Sequence, residues 1–213
     1  MLKVYDNGDL LKDTTPPMAV VKVGATLVLV WCGTRASKRP MDIIIDAAFA
    51  PVASKAWYES YPDVRVQGGM LALMEDSLTR SKQDIIEFAT EYKIEKLVLT
   101  GHSLGGGMAQ IAHLYFQGEL EKGKSSEWEK LFSQTADFKI ETFAFAAPMT
   151  TVNVNSKEHE SASSNFIERV GSNMTNFIFK MDVVPRAYGF LLYILDVIVS
   201  VDNFALCQVG AAN

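Results

Sequence analysis

A serine lies between two glycines in the segment Gly101-His102-Ser103-Leu104-Gly105. The spacing Gly-x-Ser-x-Gly is typical of a nucleophilic serine held on a sharp turn between a strand and a helix. In such a turn a Cβ atom at either glycine would strike the neighbouring strand or the closely packed helix. The pattern therefore predicts that Ser103 presents its hydroxyl oxygen at the end of a sheet, where it can attack a carbonyl carbon.

The residues on both sides of Ser103 have the periodicities that this turn requires. Residues 97–100 form a short apolar run typical of a buried strand. The apolar residues after the turn recur at helical spacing, at Met108, Ile111, Ala112 and Tyr115. A helix that begins at the serine directs its free N–H groups and its dipole toward negative charge that develops on a substrate oxygen. We therefore expect the N–H of Leu104 to be one oxyanion donor.

Two other interpretations of the glycine-rich turn compete with a nucleophilic serine. In the first, the glycines only allow a helix to pack closely on a strand. In the second, the turn binds phosphate, but the pattern G-x-x-x-x-G-K-[ST] is not present and no lysine follows Leu104 closely. The nucleophile interpretation is favoured because strand and helix patterns occur on the correct sides of Ser103.

Strand and helix patterns alternate along the chain. Strands are predicted over residues 19–23, 25–31, 64–66, 97–100, 140–146 and 176–181, and the second of these is apolar enough to be covered on both faces. Helices are predicted over residues 70–92 and 128–132, whereas residues 119–126 are predicted to be a surface loop and residues 152–164 a long excursion. This order predicts a mostly parallel sheet with helices in one domain of 213 residues.

Composition excludes several classes of protein. Lys and Arg number 20 against 25 Asp and Glu, so the chain lacks the basic excess of nucleic-acid-binding proteins. The two cysteines cannot support a disulfide framework or a metal cluster, and Cys32 is expected to be a buried thiol. Charged residues interrupt the first 17 positions, so we predict no signal peptide. The apolar run 190–201 is shorter than the about 20 residues that cross a bilayer, and a cytoplasmic protein is expected.

Taken together, these segments resemble the fungal-type triacylglycerol lipases, also called class 3 lipases. The likeness runs from about residue 20 to 187 and implies a three-layer α/β-hydrolase fold. Trp31-Cys32-Gly33-Thr34 resembles the family segment Phe-Arg-Gly-Ser/Thr, which implies that Thr34 is the second oxyanion donor. Asp182-Val183-Val184-Pro185 resembles the family's Asp-x-Val-Pro, which implies that Asp182 is the acid that orients the catalytic histidine.

Further segments agree with the family in order and kind. Residues 142–148 resemble its strand that ends in proline, and residues 42–46 and 48–52 resemble the stretch that carries or adjoins the lid. Ile43, Ile44 and Ile45 are interpreted as either the apolar face of a lid or a buried turn. The chain departs from the family at Cys32, at Ile43 and in residues 66–70, where arginine, tryptophan and a His-Phe pair are usual.

The catalytic base is not evident in the sequence. In this architecture the base is a histidine that follows the aspartate, but His102, His113 and His159 all precede Asp182. His102 is expected to pack away from the serine, and His113 is too far along the helix. His159 is either a substitute base or a solvated loop histidine. The simplest hypothesis is that residues 1–213 lack a C-terminal segment that brings the histidine.

The resemblance implies hydrolysis of acylglycerols or other lipid esters through an acyl-enzyme, with no metal or organic cofactor. Its expected partners are a lipid or small ester substrate and, transiently, a membrane or lipid-droplet surface. One alternative is a lipase-like binding or signalling protein without turnover, which the missing histidine favours. Another keeps the serine chemistry but changes the acceptor, as in an acyltransferase or a thioesterase.

Overall fold

A computed structural model describes residues 2–5, 16–33, 50–153 and 160–179. Ser103 and Leu104 are among these residues. Thr34, Asp182 and His159 lie outside them, as do the segments 42–46 and 190–201, so the predictions made for them remain predictions.

A six-stranded sheet forms the centre of the fold. Its strands, in spatial order, are β1 (Leu2–Tyr5), β2 (Met18–Val23), β3 (Thr26–Trp31), β6 (Lys96–His102), β7 (Lys139–Phe145) and β9 (Met174–Phe177). β1, β2 and β3 pair antiparallel, whereas β3, β6, β7 and β9 pair parallel. A smaller antiparallel sheet contains β4 (Pro51–Val52), β5 (Val64–Gln67) and β8 (Thr151–Asn153). The prediction of a mostly parallel central sheet is thus confirmed.

Four α-helices accompany the sheet in the described part of the chain. They are α1 (Gly68–Tyr92), α2 (Leu104–Glu121), the short α3 (Glu129–Phe132) and α4 (Glu160–Gly171). The helix predicted over residues 70–92 is α1, and its predicted apolar positions Leu71, Met74, Leu78, Ile85 and Phe88 are buried. None of the described helices is long and apolar enough to span a membrane.

The core lies between these helices and one face of the sheet. On β3 the residues Leu27, Leu29 and Trp31 are buried, whereas Val28 and Val30 between them are only half-buried. In the described residues one face of β3 is therefore buried more deeply than the other. Trp31 also donates a buried hydrogen bond from Nε1 to Ser77 Oγ at 2.8 Å, which ties β3 to α1.

Two segments predicted to be irregular contain helix in the structure, and β9 begins and ends earlier than the strand predicted over 176–181. Residues 119–126, predicted to be a surface loop, contain the end of α2 and a 3₁₀ helix, Gly123–Ser125, and Glu119 is buried. In the stretch predicted to be an irregular excursion over 152–164, β8 ends at Asn153 and α4 begins at Glu160. Both differences arise because a few buried residues in polar sequence, such as Phe166 and Val170 of α4, find apolar partners only in the folded chain.

Candidate active site

Ser103 joins β6 to α2 in a strained turn. β6 ends at His102 and α2 begins at Leu104, so the predicted change from extended chain to helix takes place at the serine. The backbone of Ser103 has φ 53° and ψ −123°, a conformation that residues with a Cβ atom rarely adopt. The residue is half-buried. This is the geometry expected of a nucleophile whose side chain is directed out of the sheet's end.

The glycines around Ser103 are required by contacts of backbone on backbone. A Cβ atom built on Gly101 would overlap the carbonyl group of Gly105 and stand 2.8 Å from the nitrogen of Gly106. One built on Gly105 would overlap the carbonyl group of Trp31 and stand 2.8 Å from the oxygen of Cys32. Real Cβ atoms essentially never approach backbone atoms this closely, so the turn cannot form with side chains at these positions.

The backbone of Ser103 is also fixed from the neighbouring strand. Its N–H donates to the carbonyl oxygen of Phe145, at the end of β7, at 2.9 Å. Its own carbonyl oxygen accepts from the N–H of Gly107 at 3.0 Å, which is a regular helical bond. The serine is therefore held by β6, β7 and α2 at once, and this arrangement stabilises its strained dihedral angles.

Leu104 is the first residue of α2, and its side chain is 1% exposed. Because the first N–H groups of a helix have no partner within the helix, the N–H of Leu104 is available to an oxygen above the turn. The positive end of the helix dipole lies at the same point. This placement agrees with the oxyanion role predicted for Leu104.

The end of β3 lies beside the turn. Cys32 is half-buried rather than buried, and its N–H donates to the carbonyl oxygen of Pro17 at 2.9 Å. A Cβ atom built on Gly33 would stand 2.7 Å from the oxygen of His102 and 3.4 Å from its Nδ1. The chain thus reaches the nucleophile turn one residue before Thr34, the predicted second donor.

The two described histidines have different surroundings. His113 is 1% exposed and shares a hydrogen bond of 2.9 Å between Nδ1 and Thr142 Oγ1. Burial lowers the pKa of His113 to about 4, so the residue is a neutral core histidine, in keeping with the expectation that it does not serve Ser103. His102 is exposed, with its ring beside Gly33, whereas packing away from the serine was expected. Neither histidine is hydrogen-bonded to Ser103 in the described contacts.

One residue near the site was missed by sequence reasoning. Asn176 of β9 bonds with its side chain to both backbone polar groups of Ala147, which follows β7. From the sequence, Asn176 is predicted only to begin a strand. Nothing in the local pattern identifies a partner 29 residues away.

Apolar side chains are exposed at the same end of the sheet. Phe145 and Phe177 are neighbours in the register of β7 and β9, and their rings stack with centroids 5.1 Å apart. They are 45% and 50% exposed, and Met149 and Phe179 beyond them are 50% and 79% exposed. We call these four residues the apolar edge. An exposed apolar group of this kind beside a strained serine is suited to contact with apolar ligands.

Fungal lipases are among the solved structures that share this fold. The chain matches the lipase from Rhizopus microsporus var. chinensis with a TM-score of 0.56 and 20% identity, over 86% of this chain and 54% of that one. It matches lipase II from Rhizopus niveus with a TM-score of 0.58 and 20% identity, over 86% of this chain and 58% of that one. It matches the triacylglyceride lipase of Rhizomucor miehei with a TM-score of 0.56 and 16% identity, over 86% of this chain and 58% of that one. The predicted α/β-hydrolase fold is confirmed by these matches.

The chain spans between half and three fifths of the length of these three structures. Among curated proteins, no sequence matches it. The family model for lipase (class 3) matches residues 28–191, which is well over half of the 213 residues and includes Ser103 and Leu104. The chain therefore belongs to the class 3 lipase family.

Proposed function

We propose that this protein hydrolyses carboxylic esters of lipids, with Ser103 as the nucleophile. The observation that carries the proposal is the half-exposed Ser103 at φ 53°, fixed between the end of β6 and the first turn of α2. Strain of this kind persists only where the surrounding structure enforces it, and it is concentrated at functional sites. Membership of the class 3 lipase family supports the same chemistry.

In the proposed reaction, Ser103 Oγ attacks the carbonyl carbon of the ester and transfers its proton to a base. The negative charge that develops on the carbonyl oxygen is stabilised by the N–H of Leu104 and by Thr34. The alcohol leaves with a proton and an acyl-enzyme remains. Water then attacks the acyl-enzyme, releases the carboxylic acid and restores the serine. Asp182 is proposed to orient the base, which is assigned to none of the described residues.

The apolar edge supports a lipid substrate rather than a small polar ester. Phe145, Met149, Phe177 and Phe179 offer apolar surface at the end of the sheet where Ser103 lies. Transient contact of this edge with a membrane or lipid-droplet surface is part of the proposal. A cytoplasmic location stays a prediction from the sequence.

A second candidate is a lipase-like binding or signalling protein without turnover. It is supported by the described histidines, because His113 is buried against Thr142 and neither His102 nor His113 is hydrogen-bonded to Ser103 in the described contacts. The same serine chemistry with another acceptor would give an acyltransferase or a thioesterase.

Hydrolysis of short-chain nitrophenyl esters separates these candidates. The purified chain is compared with Ser103→Ala and with Ser133→Ala, which removes an exposed serine beyond α3. Esterase function predicts that only Ser103→Ala falls to the uncatalysed rate. Equal rates for the three proteins, at the level of a protein-free blank, would favour the binding protein. Esterase activity that is greatly exceeded by transfer to an added alcohol or by hydrolysis of thioesters would favour the third class.

A further inference from the structure

The side chain of Asn176 takes the place of a strand partner. The N–H of Ala147 donates to Asn176 Oδ1 at 3.2 Å, and Asn176 Nδ2 donates to the carbonyl oxygen of Ala147 at 3.0 Å. Backbone pairing between β7 and β9 extends as far as the bond from Ala146 N–H to the oxygen of Phe177, at 2.9 Å. The carboxamide of Asn176 thus holds Ala147, the residue after the last one that is bonded backbone to backbone.

The segment that Asn176 holds is conformationally strained. Ala146 has φ 51°, in the left-handed region that disfavours residues with a Cβ atom. Ala147 is fully buried, so its N–H and carbonyl groups need partners within the protein. The two bonds from Asn176 supply both partners, and they stabilise the strained turn at Ala146.

The other side of this turn lies against the nucleophile. A Cβ atom built on Gly106 would stand 2.9 Å from Cβ of Ala147, and one built on Gly107 would stand 3.0 Å from Cγ2 of Thr150. Gly106 and Gly107 are in the first turn of α2, directly after Ser103. The N–H of Ser103 donates to the carbonyl oxygen of Phe145, the residue that precedes the strained Ala146. Residues 145–150 therefore pack against Ser103 and the first turn of α2, and we call this segment the wall.

We infer that Asn176 is a positioning residue for Ser103. No described hydrogen bond joins Asn176 to Ser103, but through Ala147 Asn176 fixes the wall that holds the first turn of α2. An amide is required because Ala147 needs one acceptor and one donor, and the carboxamide carries both on a single carbon. Aspartate has the same shape but only accepts, so its carboxylate would face the carbonyl oxygen of Ala147. The consequence for catalysis rests on the proposed function, whereas the consequence for the backbone does not.

The test is the variant Asn176→Asp, with Asn173→Asp as a matched control. Asn173 is exposed in the turn before β9, and its side chain bonds only to the adjacent Ser172 in the described contacts. Amide hydrogen exchange is followed in peptides covering residues 101–110 and 144–150, with residues 71–90 of α1 as an internal reference. We expect exchange to become about tenfold faster in both site peptides of Asn176→Asp, since a lost bond pair of this kind shifts a local opening equilibrium by that order. Asn173→Asp should behave like the wild type.

A second readout is the rate at which a fluorophosphonate probe labels Ser103. For Asn176→Asp we expect a rate about tenfold lower, with the probe concentration at half-saturation unchanged. If Asn176→Asp does not fold, Asn176→Ala removes both bonds without adding charge, and the same exchange pattern is expected.

Unchanged exchange in residues 101–110 of the folded variant would overturn the inference. So would equal acceleration in residues 71–90, because that result would mean a general loss of stability. If the exchange pattern is as expected but the wild type is never labelled, the positioning role stands and the proposed function fails. If the wild type is labelled but exchange in Asn176→Asp is unchanged, the proposed function stands and the positioning role fails.

Discussion

The first turn of α2 rests directly on the last residue of β3, with Gly105 against the carbonyl group of Trp31. There is no space for a side chain between them, so the helix start and the strand end touch backbone to backbone. This contact brings residues 31–33 to the nucleophile turn. The residue proposed as the second oxyanion donor, Thr34, follows this segment in the sequence.

Substituting Gly105 with alanine should disrupt the fold around the serine. The added Cβ atom would overlap the carbonyl group of Trp31 and approach the oxygen of Cys32, and backbone atoms cannot move aside as a flexible side chain can. We expect Gly105→Ala to lower the free energy of unfolding by about 3 kcal/mol or more. Urea unfolding followed by circular dichroism measures this change.

The matched control is Gly171→Ala at the end of α4. A Cβ atom built on Gly171 meets nothing within 4 Å, and this glycine is not among the residues with positive φ. We expect Gly171→Ala to change the free energy of unfolding by less than about 1 kcal/mol. If the Gly105→Ala protein is as stable as the Gly171→Ala protein, α2 does not approach β3 as closely as described.

His113 should make stability depend on pH. Burial lowers the pKa of His113 from 6.5 to about 4, so on acidification the unfolded chain binds this proton first. The free energy of unfolding should therefore decrease by about 3 kcal/mol between pH 6.5 and pH 4 from this residue alone. Above pH 6.5 the contribution of His113 should be constant.

The measurement is urea unfolding at intervals between pH 4 and pH 7.5, for the wild type and for His113→Asn. The variant loses stability at every pH because it leaves part of the core unfilled. Its decline between pH 6.5 and pH 4 should nevertheless be shallower than that of the wild type. Parallel curves for the two proteins would mean that His113 is not a neutral core histidine.

Ser126 should contribute to stability through the buried Glu119. Glu119 is 4% exposed, accepts from Ser126 Oγ at 2.8 Å, and pairs with Lys122 Nζ at 2.6 Å. Ser126→Ala removes a donor from a buried carboxylate, so we expect the free energy of unfolding to fall by about 1–3 kcal/mol. The exposed neighbour Ser125 provides the control, because Ser125→Ala should change it by less than about 0.5 kcal/mol. Equal effects of the two substitutions in thermal or urea unfolding would contradict the contact.

The turn at Ser103 and the helix α1 could be predicted because their signals are local. Two glycines at fixed spacing around a serine specify the turn, and the apolar spacing from Leu71 to Phe88 specifies one helical face. The roles of Thr34 and Asp182 came from resemblance to the family, and they stay predictions because both residues lie outside the described part of the chain.

The features that sequence reasoning missed depend on partners distant in the chain. α4 has few apolar positions, and its Phe166 is buried by stacking on Tyr61, with ring centroids 4.1 Å apart. The sequence predicts a loop at Glu119, because the polar residues around it give no sign of the contacts that bury it. The bonds between Asn176 and Ala147 join two strand ends, and only the sheet brings these together.

Labelling with a fluorophosphonate probe tests the central claim most directly, because it reports an activated serine whatever the substrate. The labelled chain is digested and the modified residue is located by mass spectrometry. We predict that the probe is found on Ser103, that Ser103→Ala is not labelled, and that Ser133→Ala is labelled like the wild type. A folded wild-type chain that takes up no probe, or takes it up equally when Ser103 is alanine, would contradict the account.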